Sequence, residues 1–214
     1  MIHADSLTVL RQMESESVDA IITDPPYGIN YKSTKGDSIK NDMAPFIWWL
    51  YDAYRVLKPG ESGRGTLACF TRWDVQQVFI DAMKLAGFIV KNEVIWDKVH
   101  HGMGDTKAQF APAHENIIFA VKGKFSFPGH RPKDLITFPK LNGSQMIHPT
   151  EKPVGLLTDI ITAITKPGDL LCDPFAGSAS TLVAAKKTGR RYIGMELDDE
   201  RYEVARRRLE EVKV

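Results

Sequence analysis

The chain has 214 residues, of which 43% are hydrophobic and 26% are charged. Its 28 Lys and Arg residues against 27 Asp and Glu residues give a formal net charge of +1, which excludes a polycationic tail and an acidic disordered chain. This length suits one domain with a proper core, or one domain with an inserted module. Because the net charge is close to zero, any nucleic acid that binds must be held by a local basic patch.

The two cysteines, Cys69 and Cys172, lie in apolar runs and predict buried thiols in a reducing compartment rather than a disulfide or a zinc site. No apolar stretch is long enough to span a bilayer, and residues 1–7 do not follow a signal-peptide pattern. The His100–His101 pair lacks a partner at ligand spacing, so we predict no metal site. We therefore expect a soluble, cytoplasmic protein that does not associate with membranes.

Short apolar runs alternate with amphipathic segments, and seven of these runs predict strands buried between helix layers. The predicted strands are Ile2–Ala4, Val18–Thr23, Thr66–Phe70, Phe88–Trp96, Asn116–Val121, Leu170–Cys172 and Arg191–Glu196. The segments between them predict helices that begin near Pro45, Asp74, Thr150, Thr181 and Asp198. This alternation predicts right-handed crossovers and an α/β, doubly wound, mostly parallel seven-stranded sheet. Because residues 88–121 hold two strands without a helix between them, we expect an antiparallel hairpin at one edge.

A segment rich in Pro, Gly and Lys covers residues 123–147. Between Lys122 and Lys140 there are five basic residues and one acidic residue, Asp134. The segment is either a solvated surface loop or a patch that contacts phosphates. In the second case three phenylalanines stand between the basic residues: Phe125, Phe127 and Phe138. We treat residues 1–214 as a single domain in which 123–147 is a short inserted segment.

An apolar strand ends directly in Asp24-Pro25-Pro26-Tyr27. Consecutive prolines cannot continue a sheet ladder and they fix φ, so the chain leaves the sheet in a rigid turn. Such a turn presents the Asp24 carboxylate and the Pro25 carbonyl as two acceptors beside the Tyr27 ring. This arrangement suits a planar base whose exocyclic NH2 group is hydrogen-bonded in plane while its ring stacks on the tyrosine. The simpler alternative is a strand-ending turn with a capping aspartate.

A second polar sequence, residues 173–181, follows a predicted strand and leads into a helix. Its small residues let backbone amides approach a ligand at the helix N-terminus. Because Gly177 is its only glycine, it is neither the dinucleotide fingerprint nor a phosphate-binding loop. Glu196 ends the next strand, where an acidic side chain can accept both hydroxyls of a ribose. Together these features predict an adenosine ligand without a pyrophosphate.

Four motifs, in this order, resemble the amino-methyltransferases of DNA: IITDPPYGINY (21–31), HPTEKPVGLL (148–157), DPFAGSAST (173–181) and RRYIGMELDDERYEVARRRL (190–209). Segments 92–98 and 114–123 also resemble sequences of this family. The motif order resembles the β-type, permuted arrangement and implies a Rossmann-like methyltransferase fold. In two places the chain departs from the family pattern, because Ala179-Ser180 replaces Gly-Thr and Glu151 replaces Gln.

The resemblance implies methyl transfer from S-adenosylmethionine to an exocyclic amine, as in DNA methylation and restriction-modification. The implied catalytic residues are Asp24, Pro25, Pro26 and Tyr27. The implied cofactor-binding residues are Asp5, Thr150, Lys152, Asp173, Phe175, Gly177, Ser178 and Glu196. Within this set Glu196 would hold the ribose, Asp5 would meet the adenine amine, and Thr150 and Lys152 would lie near the methionine carboxylate.

In this chemistry, hydrogen bonds from the adenine N6 to Asp24 and to the Pro25 carbonyl localise charge on the amine as the methyl group moves in line. The target cannot be reached inside double-stranded DNA, so it must be flipped out and stacked on Tyr27. Aspartate in the first motif position resembles the adenine-N6 enzymes, whereas cytosine-N4 enzymes more often carry serine. A recognition segment as short as 123–147 predicts a short or relaxed target site, and a homodimer would supply a second DNA contact.

Three alternatives remain open at this point: a cytosine-N4 DNA methyltransferase, an RNA adenine methyltransferase, and an inactive relative that binds nucleic acid. The C-terminal residues 190–214 carry seven basic and seven acidic residues. This balance predicts that Arg206–Arg208 belong to a solvated helix face rather than to a binding site.

Overall fold

The computed structural model describes residues 1–29, 39–60, 65–102, 106–141 and 151–213. The strands within these ranges are β1 Ile2–His3, β2 Ala20–Thr23, β3 Thr66–Thr71, β4 Ile89–Asp97, β5 His114–Val121, β6 Leu135–Thr137, β7 Leu170–Asp173 and β8 Arg191–Glu196. The helices are α1 Ser6–Gln12, α2 Leu50–Val56, α3 Gln76–Ala86, α4 Val154–Ile164, α5 Ser180–Lys187 and α6 Asp199–Glu211.

All these strands form one sheet in the order β1-β8-β7-β2-β3-β5-β4-β6. Strand β5 runs antiparallel to β3 and β4, and every other neighbouring pair is parallel. The structure thus confirms the predicted α/β, mostly parallel, doubly wound sheet. The prediction of seven strands was wrong by one, because β6 pairs with β4 outside the hairpin and takes the edge position. This three-residue strand is too short to give a periodic signal in the sequence.

Helix boundaries differ from the sequence-based expectations mainly at the N-termini. The helix predicted to begin at Pro45 starts at Leu50, and Pro45 instead forms an isolated bridge with Tyr27. Helix α1 was not predicted at all. It is only seven residues long, and its first turn is capped by Asp5, whose Oδ2 accepts a hydrogen bond from the Thr8 amide at 2.9 Å.

The core consists of apolar side chains packed on both faces of the sheet. The neighbouring β2 residues Ile21 and Ile22 belong to two different buried clusters, because successive strand side chains point to opposite faces. The first cluster includes residues of α1, α2 and α3, and the second includes residues of α4 and α5. Cys69 and Cys172 are buried free thiols, as predicted.

The segment predicted to insert into the domain is partly built into this core. Phe125 and Phe127 pack against Phe119 of β5, with ring centroids 5.4 and 6.0 Å from it. These rings therefore pack against the second buried cluster. Contact of the segment with phosphates stays a prediction. Residues 142–147 of the segment lie outside the described residues.

Four parallel strands bring the predicted functional residues to one edge of the sheet. Asp5 follows β1, Asp24 follows β2, Asp173 ends β7 and Glu196 ends β8. Because β1, β8, β7 and β2 are consecutive neighbours and parallel, their carboxyl ends lie side by side. In open α/β sheets this edge is where ligands bind.

Candidate active site

A cavity of about 1100 Å³ lies at the carboxyl edge of the sheet. The predicted site residues that line it are Asp5, Asp24, Pro25, Pro26, Tyr27, Lys152, Asp173, Phe175, Gly177, Ser178 and Glu196. The structure therefore brings the two predicted halves of the site, around Asp24 and around Gly177, to a common cavity. Thr150, predicted to lie near the cofactor, is outside the described residues.

The corner after β2 is held by interactions with distant segments. The Asp24 carboxylate receives two hydrogen bonds, from the Tyr27 hydroxyl on Oδ1 and from the Lys152 ammonium on Oδ2, the second at 2.5 Å. The Pro26 carbonyl accepts a hydrogen bond from the Phe46 amide at 3.1 Å. The Tyr27 ring meets Phe79 edge to face, with centroids 6.5 Å apart. The direction of the Asp24 carboxylate is thus set before any ligand binds.

Lys152 lies between two carboxylates. Its Nζ is 3.2 Å from Glu115 Oε2, and Lys98 Nζ lies 3.4 Å from the other oxygen of Glu115. Burial lowers the pKa of Lys152, but the attraction of Asp24 and Glu115 is stronger, and the net pKa lies above its usual value. Burial likewise opposes ionisation of Glu115, yet the two lysines hold the pKa of this carboxyl below its usual value. The site therefore contains a half-buried, alternating row of charges.

The Tyr27 hydroxyl remains a proton donor in this environment. Burial, followed by repulsion from the Asp24 carboxylate, raises the pKa of Tyr27 well above its usual value. A protonated phenol can donate to Asp24, and this donation is the contact observed. The tyrosine therefore helps to orient the carboxylate in addition to offering its ring to the cavity.

The loop after β7 is held mainly through backbone amides. Asp173 Oδ1 accepts hydrogen bonds from Thr23 Oγ1 at 2.7 Å and from the Phe175 amide at 3.1 Å. Glu196 Oε2 accepts from the Gly177 amide at 2.9 Å. Burial raises the pKa of Asp173 to about 6. Gly177 has a φ of 51°, a conformation that favours glycine.

Two residues that sequence reasoning missed, Glu115 and Lys98, complete the row of charges around Lys152. Both fall in segments that resemble the family, 92–98 and 114–123, but no spacing rule connects them to Lys152. The resemblance assigned Lys152 to the methionine carboxylate, and the structure brings its ammonium to Asp24. Its role toward a cofactor stays a prediction, as do the roles of the other site residues.

Within the described ranges, no helix combines the length and the apolar character needed to cross a membrane. In the same part of the chain, His, Cys, Asp and Glu side chains form no group of three or more that could hold a metal ion.

Comparisons with known proteins agree with the motifs. A family model described as DNA methylase, of the N6/N4 type, matches residues 18–207. The putative methylase YubD of Escherichia coli (strain K12) is 35% identical over 217 residues, which cover 99% of this chain and 90% of YubD. The DNA adenine methyltransferase YhdJ of the same organism is 31% identical over 250 residues, covering 98% of this chain and 82% of YhdJ.

A solved structure has a similar fold and a bound cofactor. The crystal structure of the M1.HpyAVI–SAM complex is 27% identical to this chain, with a TM-score of 0.72. The match covers 96% of this chain and 97% of M1.HpyAVI. The likeness thus extends over nearly the whole length of both proteins.

Proposed function

This chain belongs to the N6/N4 DNA methylase family, and from that premise we propose that it transfers a methyl group from S-adenosylmethionine to the N6 amine of adenine in DNA. The observation that carries the proposal is the shared cavity, which the Asp24–Tyr27 corner and the 173–178 loop line together. Its volume of about 1100 Å³ exceeds the roughly 300–1,000 Å³ typical of a site for one small ligand. This size leaves room for a cofactor and a base.

The cofactor side of the cavity has the donors and acceptors that an adenosine moiety requires. Carboxylates of Asp5 and Glu196 stand at neighbouring strand ends, and small residues around Gly177 allow close backbone approach. The absence of a glycine-rich phosphate loop in 173–181 suits a ligand without phosphates. S-adenosylmethionine supplies, when bound, a methyl group activated by its sulfonium. YhdJ, named as a DNA adenine methyltransferase, and the SAM complex of M1.HpyAVI support this assignment.

The base side of the cavity supplies the electrostatics of the reaction. As the bond from N6 to the methyl carbon forms and the carbon–sulfur bond breaks, positive charge develops on the amine. A carboxylate fixed in advance, as Asp24 is by Tyr27 and Lys152, stabilises that charge without reorganising. The methylated amine would then lose one proton to solvent, and the sulfur would keep the electron pair of the broken bond as a neutral thioether. The Pro25 carbonyl is the second acceptor in this proposal.

The proposed substrate is double-stranded DNA from which the target adenine is flipped into the cavity and stacked on Tyr27. The exposed basic residues Lys124, Arg131 and Lys133 support a DNA contact by the segment 123–147. Because this segment is short, the proposal includes a short or relaxed recognition site. A homodimer would provide a second contact to the duplex.

Product analysis tests the proposal directly. The protein is incubated with S-adenosylmethionine carrying a labelled methyl group and, in parallel, with double-stranded DNA or RNA, and the digested nucleosides are identified by mass spectrometry. We expect labelled N6-methyladenine from DNA. N4-methylcytosine as the sole product would overturn the assignment of the base, and labelling of RNA alone would overturn the assignment of the polymer. Cofactor binding without product would identify an inactive relative.

A further inference from the structure

Arg208 lies near the end of α6, and its guanidinium reaches the loop after β7. Its Nη1 lies 3.0 Å from the Ser178 carbonyl oxygen and 3.0 Å from Ser180 Oγ, and its Nη2 lies 2.5 Å from Glu151 Oε1. The side chain of Arg208 is 15% exposed and that of Glu151 is 2% exposed. The predicted solvated face was therefore wrong for Arg208. The prediction fits Arg206, which is 44% exposed.

The loop that Arg208 contacts contains a backbone conformation that favours glycine at a position occupied by alanine. Helix α5 begins at Ser180, and the residue before it, Ala179, has a φ of 64° and no side-chain atom that could cap the helix. This conformation strains any residue with a Cβ atom. The Ser178 carbonyl and the Ser180 hydroxyl, on either side of Ala179, are both held by Arg208. Arg208, a residue of α6, thus contacts the residues on both sides of Ala179.

Glu151 connects this loop to the catalytic corner. Its carboxylate neutralises Arg208 and accepts a hydrogen bond from Ser180 Oγ at 3.3 Å. The next residue in the chain, Lys152, holds Asp24. Two adjacent charged residues thus reach the two halves of the cavity. Of the positions where this chain departs from the family pattern, Glu151 and Ser180 both contact the Arg208 guanidinium.

We propose that Arg208 is a positioning residue that, through its ion pair with Glu151, sets the conformation of residues 178–180 in which S-adenosylmethionine binds. This inference rests on the proposed function, but it concerns cofactor affinity and not the transfer step. Ser178 and Ser180 line the cavity, Arg208 does not, and Arg208 contacts both serines. Its loss should therefore raise the Kd and KM for the cofactor while leaving kcat at saturating cofactor nearly unchanged.

Binding of labelled S-adenosylmethionine to the full chain tests this proposal, together with steady-state kinetics on DNA. We expect Arg208→Met to raise the Kd about tenfold, as the loss of charged hydrogen bonds would. Arg208→Lys should recover part of the affinity, because it keeps the charge. The matched control is Arg206→Met, which removes an exposed arginine from the same helix and should bind the cofactor as the wild type does.

Arg208→Met removes the guanidinium that pairs with the buried Glu151 carboxylate, and this loss can prevent folding. A second variant covers that case. Glu151→Gln combined with Arg208→Met removes both charges and should fold, as measured by thermal unfolding. We expect its Kd to be raised about tenfold as well, since Ser178 still loses its donor.

The outcomes separate this inference from the proposed function. Suppose that the wild type binds and uses the cofactor. If Arg208→Met and the double variant, Glu151→Gln combined with Arg208→Met, then have the same Kd as the wild type, the inference fails while the function stands. A fall in kcat at unchanged Kd would equally overturn it. A wild type that does not bind S-adenosylmethionine would remove the proposed function and the inference together.

Discussion

The corner after β2 and the loop after β7 stand at the ends of neighbouring parallel strands, yet they are held in different ways. In the corner, a charged side chain from a remote segment, Lys152, reaches the Asp24 carboxylate. In the loop, carboxylates accept hydrogen bonds from backbone amides, as Glu196 does from Gly177. In the corner these contacts orient a carboxylate side chain, that of Asp24, whereas in the loop they hold the backbone around Gly177.

This difference predicts that the corner affects the rate of methyl transfer and that the loop affects the binding of the cofactor. A group that meets charge developing during a reaction affects the rate, because its interaction is stronger in the transition state than in the bound substrate. A loop that accepts a cofactor through its backbone affects binding. We therefore expect changes at the corner to lower kcat and changes at the loop to raise the cofactor Kd.

The largest expected effect is at Asp24. Replacing it with Ala removes the carboxylate that meets the amine in the proposed function, and we expect kcat to fall by about 10²–10³, as for the loss of a donor that stabilises transition-state charge. Single-turnover methylation measures this step, and equilibrium binding of labelled cofactor provides the control, which should stay near the wild-type value. If Asp24→Ala instead raises the cofactor Kd and leaves the rate of methylation unchanged, Asp24 serves cofactor binding. The corner and the loop would then not differ in function.

Lys152→Met tests which half of the cavity this residue serves. If it orients Asp24, kcat should fall by about tenfold or more, the effect of one charged hydrogen bond, at an unchanged cofactor Kd. If instead it binds the methionine carboxylate, as the resemblance implies, the Kd should rise. Lys152→Arg is the matched variant, since it keeps the charge. Measuring kcat and the KM for S-adenosylmethionine on the same preparation separates the two roles.

The smallest effect is a pH dependence of stability in the loop. The pKa of Asp173, about 6 in the folded protein because of burial, lies above its usual value of 3.8. Between these values the folded state binds the proton more tightly, so this carboxyl stabilises the protein at low pH and loses that contribution as the pH rises through 6. Relative to the wild type, Asp173→Asn should gain about 1 kcal/mol in unfolding free energy between pH 5 and 7.

Urea unfolding without cofactor, repeated across this pH range, measures the gain. Asp81→Asn serves as the control, because it removes an exposed carboxylate on α3 and should show no such trend. A flat difference between Asp173→Asn and the wild type would mean that burial does not hold the Asp173 proton.

Much of the site was predictable because its residues stand at strand ends. The run that became β2 is fully buried, that of β7 is almost fully buried and that of β8 is half-buried, and each is followed by a short polar motif. Such motifs are continuous in sequence, so the position of Asp24, Asp173 and Glu196 at strand ends could be predicted without a structure. Their roles stay predictions. The residues that escaped prediction act across the chain: Glu115 and Lys98 around Lys152, and Arg208 beside Ser178.

By itself the sequence determined the layered α/β architecture, the mostly parallel sheet and the two motifs at its carboxyl edge, since these depend on local periodicity and on rigid or small residues at strand ends. Only the tertiary structure decided that an edge strand covers the hairpin, that Lys152 meets Asp24, and that Arg208 is buried against Glu151. The physical reason is that an ion pair requires closeness in space. In this fold its members come from segments as distant as residues 24 and 152, which no sequence period connects.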